Sequence, residues 1–350
     1  MNIYPSIDRS VIKNFIKHNK IRVNKKKILP NIIDKKISEE VISIYYRLKN
    51  EEQHKSEWSW INKFKRSNLI NILKKKDINQ LAKTFTNFFL NNASYGIISW
   101  DYNQLKLNKK KIEFKSNVYR DYSTWKEFVK KKSTDIKYLK SEKKFGNCYG
   151  IDVDDSLVMI DTPRHDYFAN KIIDLVGNTK SKKILEIGGG YGGLIFQLLK
   201  RKFKGTIINV DIPETLVISY YFLKKFSKKK IIICDFEKNI KFKPEFIYLC
   251  TPNYFLNLNL KIDLICNFHS FSEMSKHDLF NYINKINRMD LKFLLHQNSN
   301  ILLYPNSERH IEILADKFPI NMKKFKQVGK NISLWVSGSG RYREYLYKRR

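Results

Sequence analysis

Cysteine is scarce: the 350 residues hold four, Cys148, Cys234, Cys250 and Cys266. They are widely spaced and form no C-x-x-C pair, which argues against a disulfide framework and a cysteine zinc site. Three of them fall in or beside apolar runs that read as buried strands, where a thiol behaves as a small apolar group. No stretch reaches the roughly 18 uninterrupted apolar residues that a membrane-spanning helix needs, and Met1 to Phe15 lacks the apolar core of a secretory signal. The expectation is a cytoplasmic chain with no membrane span.

Acidic residues are also short, 34 against 67 lysines and arginines, giving a formal net charge of +33. Such a balance invites a nucleic-acid reading, because lysine and arginine drive binding to polyanions through counterion release. Lysine, asparagine and isoleucine are abundant everywhere, however, including in loops, as an AT-rich coding sequence would give without selection for a partner. The charge alone therefore names no ligand, and only a patch in three dimensions would. The 42% hydrophobic content is ordinary, and the length allows one large or two modest domains with ample core.

What is present is organised around Lys183 to Leu199, KILEIGGGYGGLIFQLL. A short apolar run, an acid, a glycine cluster and apolar residues at helical spacing predict a strand, a tight turn and a helix. Glycines at 188, 190 and 192 let the backbone turn sharply and bring its N–H groups near a ligand. Gly188, Gly190 and Gly193 satisfy the dinucleotide pattern G-x-G-x-x-G, while Glu186, Gly188, Gly190 and Gly192 satisfy E-x-G-x-G-x-G, which resembles motif I of class I methyltransferases. Glu186 discriminates between the two. A carboxylate repels a pyrophosphate but suits the cationic methionine end of S-adenosylmethionine.

Around this centre the chain divides into three parts. Residues 1–140 read as a mainly helical region, with an apolar stripe at Ile37, Val41, Ile44, Tyr45 and Leu48, a tryptophan pair at 58 and 60, and a second stripe over 77–90. A lid, an acceptor-binding element and a dimerisation surface are the roles open to it. Residues 141–337 read as an α/β domain. Thr162 and Pro163 open a helix there, as N-cap and first helical residue. Strands are predicted at 183–188, 206–211, 230–235, 262–267 and 291–296, helices at 191–202, 213–226, 275–288 and 306–318, and an extra short strand at 246–250. Runs at 321–328 and 332–336, separated by Gly329 to Asn331, predict an antiparallel pair closing a mostly parallel Rossmann-like sheet. Residues 338–350 read as a basic, loosely held tail.

Ligands of open α/β sheets bind beyond the carboxyl ends of the strands. Three predicted strand ends carry acids there: Glu186 on the first, Asp211 followed by Ile212 on the second, and Asp235 followed by Phe236 on the third. They suit the methionine amine, the ribose hydroxyls and the adenine amine of S-adenosylmethionine, with Phe236 covering the ring. Gly188, Gly190, Tyr191, Gly192 and Asn267 complete the expected cofactor set.

The run Leu185 to Gly193, the Asp211-Ile-Pro-Glu that follows the second strand, and Cys266-Asn-Phe-His-Ser-Phe-Ser-Glu-Met274 together resemble the putative sugar O-methyltransferase family of bacteria. Phe145-Gly146-Asn147 and Thr162-Pro163-Arg164 are similar to that family's upstream segments. The resemblance covers residues 141 to 336 and implies a class I S-adenosylmethionine-dependent fold. It implies methyl transfer to a hydroxyl of a sugar, nucleotide-sugar or glycan in surface-polysaccharide synthesis. Transfer to a hydroxyl needs a base near the end of the fourth strand. His269 is the first candidate and Glu273 the second, with His296 a weaker one. Ser270 with Glu273 also has capping-box spacing, as does Ser275 with Asp278. Ser270, Arg164 and His165 are candidate acceptor contacts, Asn267 a candidate for orienting the hydroxyl. No residue spacing compels a metal, and a divalent ion is left open.

Two rival readings stand beside this one. Exocyclic-amine nucleic-acid methyltransferases generally need an (Asp/Asn/Ser)-Pro-Pro-aromatic run where this chain has Asn267-Phe-His-Ser, and carbon-5 cytosine enzymes need a Pro-Cys nucleophile that none of the four cysteines supplies. The nucleic-acid rival keeps only its electrostatics. A S-adenosylmethionine-binding protein without turnover is the other.

Overall fold

The computed structural model describes residues 9–50, 56–129, 135–235, 240–302, 313–335 and 341–350. Phe236 and most of the predicted helix at 306–318 lie outside the described residues.

A small antiparallel sheet joins β1 (Ile21–Arg22), β2 (Gly150–Val153) and β3 (Ser156–Val158). The main sheet has eight strands: β4 (Lys183–Ile187), β5 (Thr206–Val210), β6 (Ile231–Cys234), β7 (Ile247–Cys250), β8 (Ile262–Phe268), β9 (Leu291–Ser299), β10 (Phe325–Ile332) and β11 (Tyr342–Arg349). Their lateral order is β10-β11-β9-β8-β4-β5-β7-β6. All neighbours from β9 to β6 run parallel, and the β9–β11 and β11–β10 pairs are antiparallel.

The alternation of a strand explains the two layers on either side. Ile184 and Ile207 face one hydrophobic cluster, while their neighbours Leu185 and Ile208 face the other. The first cluster is shared with the N-terminal helices α1 (Arg9–His18), α2 (Ile32–Leu48), α4 (Ser67–Lys75), α5 (Ile78–Thr86) and α6 (Asn108–Val129), but not with α3 (Glu57–Trp60). It also takes in α7 (Thr162–Val176), α8 (Gly193–Lys200) and α9 (Pro213–Phe226). Against the opposite face pack α10 (Pro252–Asn257) and α11 (Lys276–Arg288). The N-terminal helices are thus built into one core with the sheet: Phe88 and Phe89 pack on Phe222 of α9, and Phe85 on its Tyr221.

Two features of the order differ from the sequence expectation. The short strand at 247–250 is inserted between β5 and β6, so the strand carrying Asp235 is displaced to the edge. The closing antiparallel pair is β10 with residues 342–349, which the charge pattern had marked as a loose tail. Gly329 is the reason for the second difference. It lies inside β10 opposite Leu346, just past a bulge, so the chain runs straight on where a tight turn was expected. Tyr342, Tyr345 and Tyr347 of β11 are buried, and their apolar bodies outweigh the basic residues between them.

Helix α7 begins at Thr162, with Asp161 in the cap position and Pro163 in the first turn. Ser275, not Ser270, caps α11: its hydroxyl accepts from the Asp278 N–H at 3.0 Å.

Candidate functional site

The turn after β4 is built by left-handed backbone at Gly188 (φ 76°), Gly190 (φ 59°) and Gly192 (φ 89°). At Gly188 a Cβ would stand 2.1 Å from the Ser270 hydroxyl, so only glycine fits against the end of β8. At Gly190 it would meet only Ile97 Cγ2, at 3.2 Å, because a loop of the N-terminal region overhangs the turn.

Beyond the turn lies a cavity of 650 Å³, within the usual range for small-molecule sites. Glu186 and Asp211, from the adjacent parallel strands β4 and β5, both line it. Glu186 is buried and its Oε2 has no hydrogen-bond partner among the described residues. Burial, then the neighbouring Asp211 charge, pushes its carboxyl up to about 8, partly opposed by Arg164. Asp211 accepts the Gly190 N–H at 3.0 Å and the Ile212 N–H at 2.8 Å. Burial still raises it to about 7 against these bonds and the charge of the fully buried Arg66. Two carboxyls raised by desolvation at one glycine turn fit a cationic, hydroxyl-bearing ligand that would return them to their charged form.

Arg164 of α7, also on the cavity lining, meets His269 at the end of β8. The Arg164 guanidinium donates to His269 Nε2 at 2.7 Å and is itself held by Asp161 at 3.1 Å. A guanidinium only donates, so the imidazole accepts and is neutral. Burial and then the Arg164 charge hold His269 well below the ordinary histidine range. Its ring stacks on Tyr342 with centroids 4.5 Å apart, and its backbone takes the unusual φ of 78° while its N–H donates to the Gln297 carbonyl at 2.7 Å. Glu273, one turn further on, lines the same cavity and its Oε2 accepts from the Trp58 indole N–H at 3.0 Å. The N-terminal region therefore contributes directly: Trp58, Tyr95, Ile97, Asp101 and Gln104 are all on the wall.

Of the residues expected from the sequence, Glu186, Gly188, Gly190, Tyr191, Asp211, Ile212, Arg164, His165, His269, Ser270 and Glu273 line this one cavity. His165 also sits close against the turn, since a Cβ at Gly193 would stand 2.4 Å from its ring; burial, then Arg164, lowers its imidazole to about 3. Gly192 and Asn267 lie behind the wall. Gly192 is the N-cap of α8. Asn267 is a latch: its Nδ2 donates to the Ile187 carbonyl at 2.9 Å and its Oδ1 accepts from Asn298 at 2.8 Å and the Phe271 N–H at 3.2 Å. Asp235 is not on the wall; it pairs with Arg47 at 3.6 Å at the far edge of the sheet. In its place β7 ends beside the cavity, and Pro252, Asn253 and Leu256 line that end. The sequence signal was the apolar run Phe246 to Cys250 followed by Thr-Pro-Asn. His296 is fully buried between Tyr345 and Phe318, away from the wall, and burial lowers it to about 3.

No known family model matches the chain, and no curated protein matches it. Among solved structures it is similar to the small RNA methyltransferase HEN1 (16% identity, TM-score 0.39), over 53% of this chain and 25% of that one, so it spans about a quarter of that protein. It is similar to magnesium protoporphyrin IX methyltransferase (ChlM) from Synechocystis PCC 6803 with bound SAH (10% identity, TM-score 0.39), over 69% of this chain and 100% of that one. A third likeness is to a TehB-like SAM-dependent methyltransferase from Corynebacterium glutamicum (12% identity, TM-score 0.34), over 53% and 88% of the two chains. Likenesses of this size carry no substrate or activity with them. The fold is carried by the chain's own strands: a parallel sheet centred on β4, a glycine turn at its carboxyl end, and an antiparallel strand slotted between β9 and β10 give this chain the class I methyltransferase fold.

Proposed function

We propose that the chain is an S-adenosylmethionine-dependent O-methyltransferase whose acceptor is a hydroxyl of a sugar or glycan. The observation that carries the proposal is the convergence of Glu186 and Asp211 on one cavity that Arg164, His269 and Glu273 also line. When bound, S-adenosylmethionine supplies a methyl group on a cationic sulfonium, which is electrophilic toward a hydroxyl oxygen.

Glu186 would hold the ligand's amino-acid end, and its partnerless Oε2 fits an ammonium. Asp211 would accept the ribose hydroxyls with the lone pairs left after Gly190 and Ile212. The adenine end would lie against Pro252, Asn253 and Leu256. On the acceptor side, the hydroxyl proton must leave as its oxygen forms the new bond. Because Arg164 occupies the His269 lone pair, the hydrogen bonding favours Glu273 as proton acceptor, with Arg164 and His269 orienting the acceptor. This reverses the order the two residues had on sequence grounds.

The lining supports a polyol over a nucleic acid. Glu57, Asp101, Glu273 and Asp278 line the cavity beside the two raised carboxyls, with two guanidiniums, those of Arg164 and Arg341, and no lysine among the described residues lines it. In a chain of net charge +33 this wall still repels phosphate. Trp58, Tyr95, Tyr282 and Tyr342 offer faces for sugar rings, with Gln104 and Asn281 as amide partners. The test is transfer of label from methyl-labelled S-adenosylmethionine to surface-glycan extracts, with transfer RNA and duplex DNA as parallel acceptors. Label in the glycan alone supports the proposal, and label in nucleic acid alone overturns the acceptor. No calorimetric binding of S-adenosylmethionine or S-adenosylhomocysteine at about millimolar ligand would overturn the whole of it.

A further inference from the structure

A second feature lies away from the cavity. Residues 25–36 read Lys-Lys-Lys-Ile-Leu-Pro-Asn-Ile-Ile-Asp-Lys-Lys, and they present three large aliphatic side chains to solvent: Leu29 is 81% exposed, Ile32 85% and Ile33 60%. Lys25, Lys26, Lys27, Lys35 and Lys36 are exposed around them. Scattered exposed apolar residues need no explanation, but three within five residues, ringed by five like charges, form a patch.

The patch is held rigidly. Asn87, itself buried, accepts the Ile28 N–H at 2.8 Å and donates to the Ile28 carbonyl at 2.9 Å, and Asn147 donates to the Lys26 carbonyl at 3.1 Å. Asn31 and Asp34 form a reciprocal capping box at the start of α2. Asp34 is the one acid of the stretch, and it is turned inward, where it accepts from the Tyr221 hydroxyl at 2.6 Å and pairs with Lys225. Its charge is thereby directed to Lys225 rather than to the five exposed lysines. Two buried asparagines and a buried aspartate hold in place a loop tip whose aliphatic side chains face water.

We propose that this tip, Leu29, Ile32 and Ile33 within the ring of Lys25, Lys26, Lys27, Lys35 and Lys36, docks on an anionic lipid surface, the aliphatic side chains entering the headgroup region while the lysines meet lipid phosphates. Charge complementarity selects this occupant. A second copy of the chain, placed face to face, would oppose the same five lysines to one another. A nucleic acid offers phosphates to the lysines but nothing for three aliphatic side chains that neither stack nor hydrogen-bond. An anionic membrane meets both halves of the patch. The anchor on Tyr221 and Lys225 lies near the C-terminal end of α9, whereas the cavity lies at its N-terminal end beside Pro213, so docking leaves the cavity accessible.

The test is sedimentation of the full chain with vesicles of phosphatidylcholine alone and of phosphatidylcholine mixed with phosphatidylglycerol. Wild type is expected on the mixed vesicles only. The combined variant Leu29→Ser, Ile32→Ser, Ile33→Ser should lose at least about tenfold in partitioning, because buried apolar area is removed while the net charge stays the same. Neutralising Lys25, Lys26 and Lys27 to Gln should cost about fivefold per lysine in the limit of full contact, and less as salt rises. Because all these side chains are exposed, both variants are expected to keep the wild-type circular dichroism and melting temperature. Equal partitioning of wild type and the triple serine variant would overturn the proposal, since the binding would then come from general basicity. So would a loss of transfer-RNA binding, or of dimer, on the serine substitutions with vesicle binding unchanged.

Discussion

Binding of S-adenosylmethionine at pH 7 should expel protons, and the number follows from the two raised carboxyls. In the cofactor-free protein Glu186 titrates at about 8 and Asp211 at about 7. At pH 7 the first is therefore about 90% protonated and the second about half. A cation beside Glu186 and hydroxyl donors at Asp211 both favour the ionised form, so complex formation releases between about one and one and a half protons. The sign is fixed by the same argument: the carboxyls must ionise to bind, so affinity rises with pH below their titration. The gain between pH 6 and 7 is about tenfold from Glu186 alone and about 50-fold if Asp211 also ionises fully, a window below the range where the ligand's own amino group loses its charge. Calorimetry in phosphate and in Tris, buffers of very different ionisation enthalpy, reads the proton count directly. Glu186→Gln should cut the release to about half a proton and weaken binding about 10- to 100-fold, the range for a hydrogen bond to a charged group. A wild-type binding enthalpy independent of buffer, with affinity flat from pH 6 to 7, would refute the placement of the ligand on these carboxyls.

The adenine end gives a second test: Asn253→Ala should weaken S-adenosylmethionine by about tenfold and Asp235→Asn by less than about twofold, as measured by calorimetry, because only the former lines the cavity. For the chemical step, Glu273→Gln should lower kcat by about 100-fold or more with cofactor affinity kept, whereas His269→Ala should mainly raise the acceptor KM; the opposite split in steady-state kinetics would return the base to His269. Acid stability gives a third. His296 is buried neutral with its imidazole lowered to about 3, so its contribution is intact above the unfolded value near 6.5 and is lost as pH falls below it; denaturant melts of His296→Phe should show a pH slope shallower by up to about 1.4 kcal/mol per unit between pH 6 and 4.

What was legible in the sequence was what short-range chemistry writes. The glycine turn, the helices opening at Pro213 and Lys276, and the strands ending in Glu186 and Asp211 each carry a signal within a few residues: a left-handed position, a cap, an apolar run closed by an acid. Lateral order in a sheet is set by partners far along the chain, and there the reading missed. The run Ile247–Cys250 was recognisable as a strand, but nothing local says that it slips between β5 and β6, and that slip moves Asp235 away from the cavity and brings Asn253 to it. Likewise Tyr342, Tyr345 and Tyr347 supply a half-hidden apolar face in a segment whose arginines and lysines dominate its composition. The Arg164–His269 contact joins residues 105 positions apart, and no spacing rule reaches that far. Trp58 stood out in the sequence only as one of a tryptophan pair; its indole N–H on Glu273 puts it at the cavity.

The slot that β11 occupies has a consequence for how the protein is made. On the ribosome, β9 and β10 emerge before residues 342–349, yet neither touches the other in the finished sheet. Until β11 clears the exit tunnel, the edges of β9 and β10 that it pairs stand open, and the cleft wall at Tyr342 is missing. A premature stop shortly after residue 335 would remove β11 and leave the newborn polypeptide with a bare ladder open to pairing with other strands.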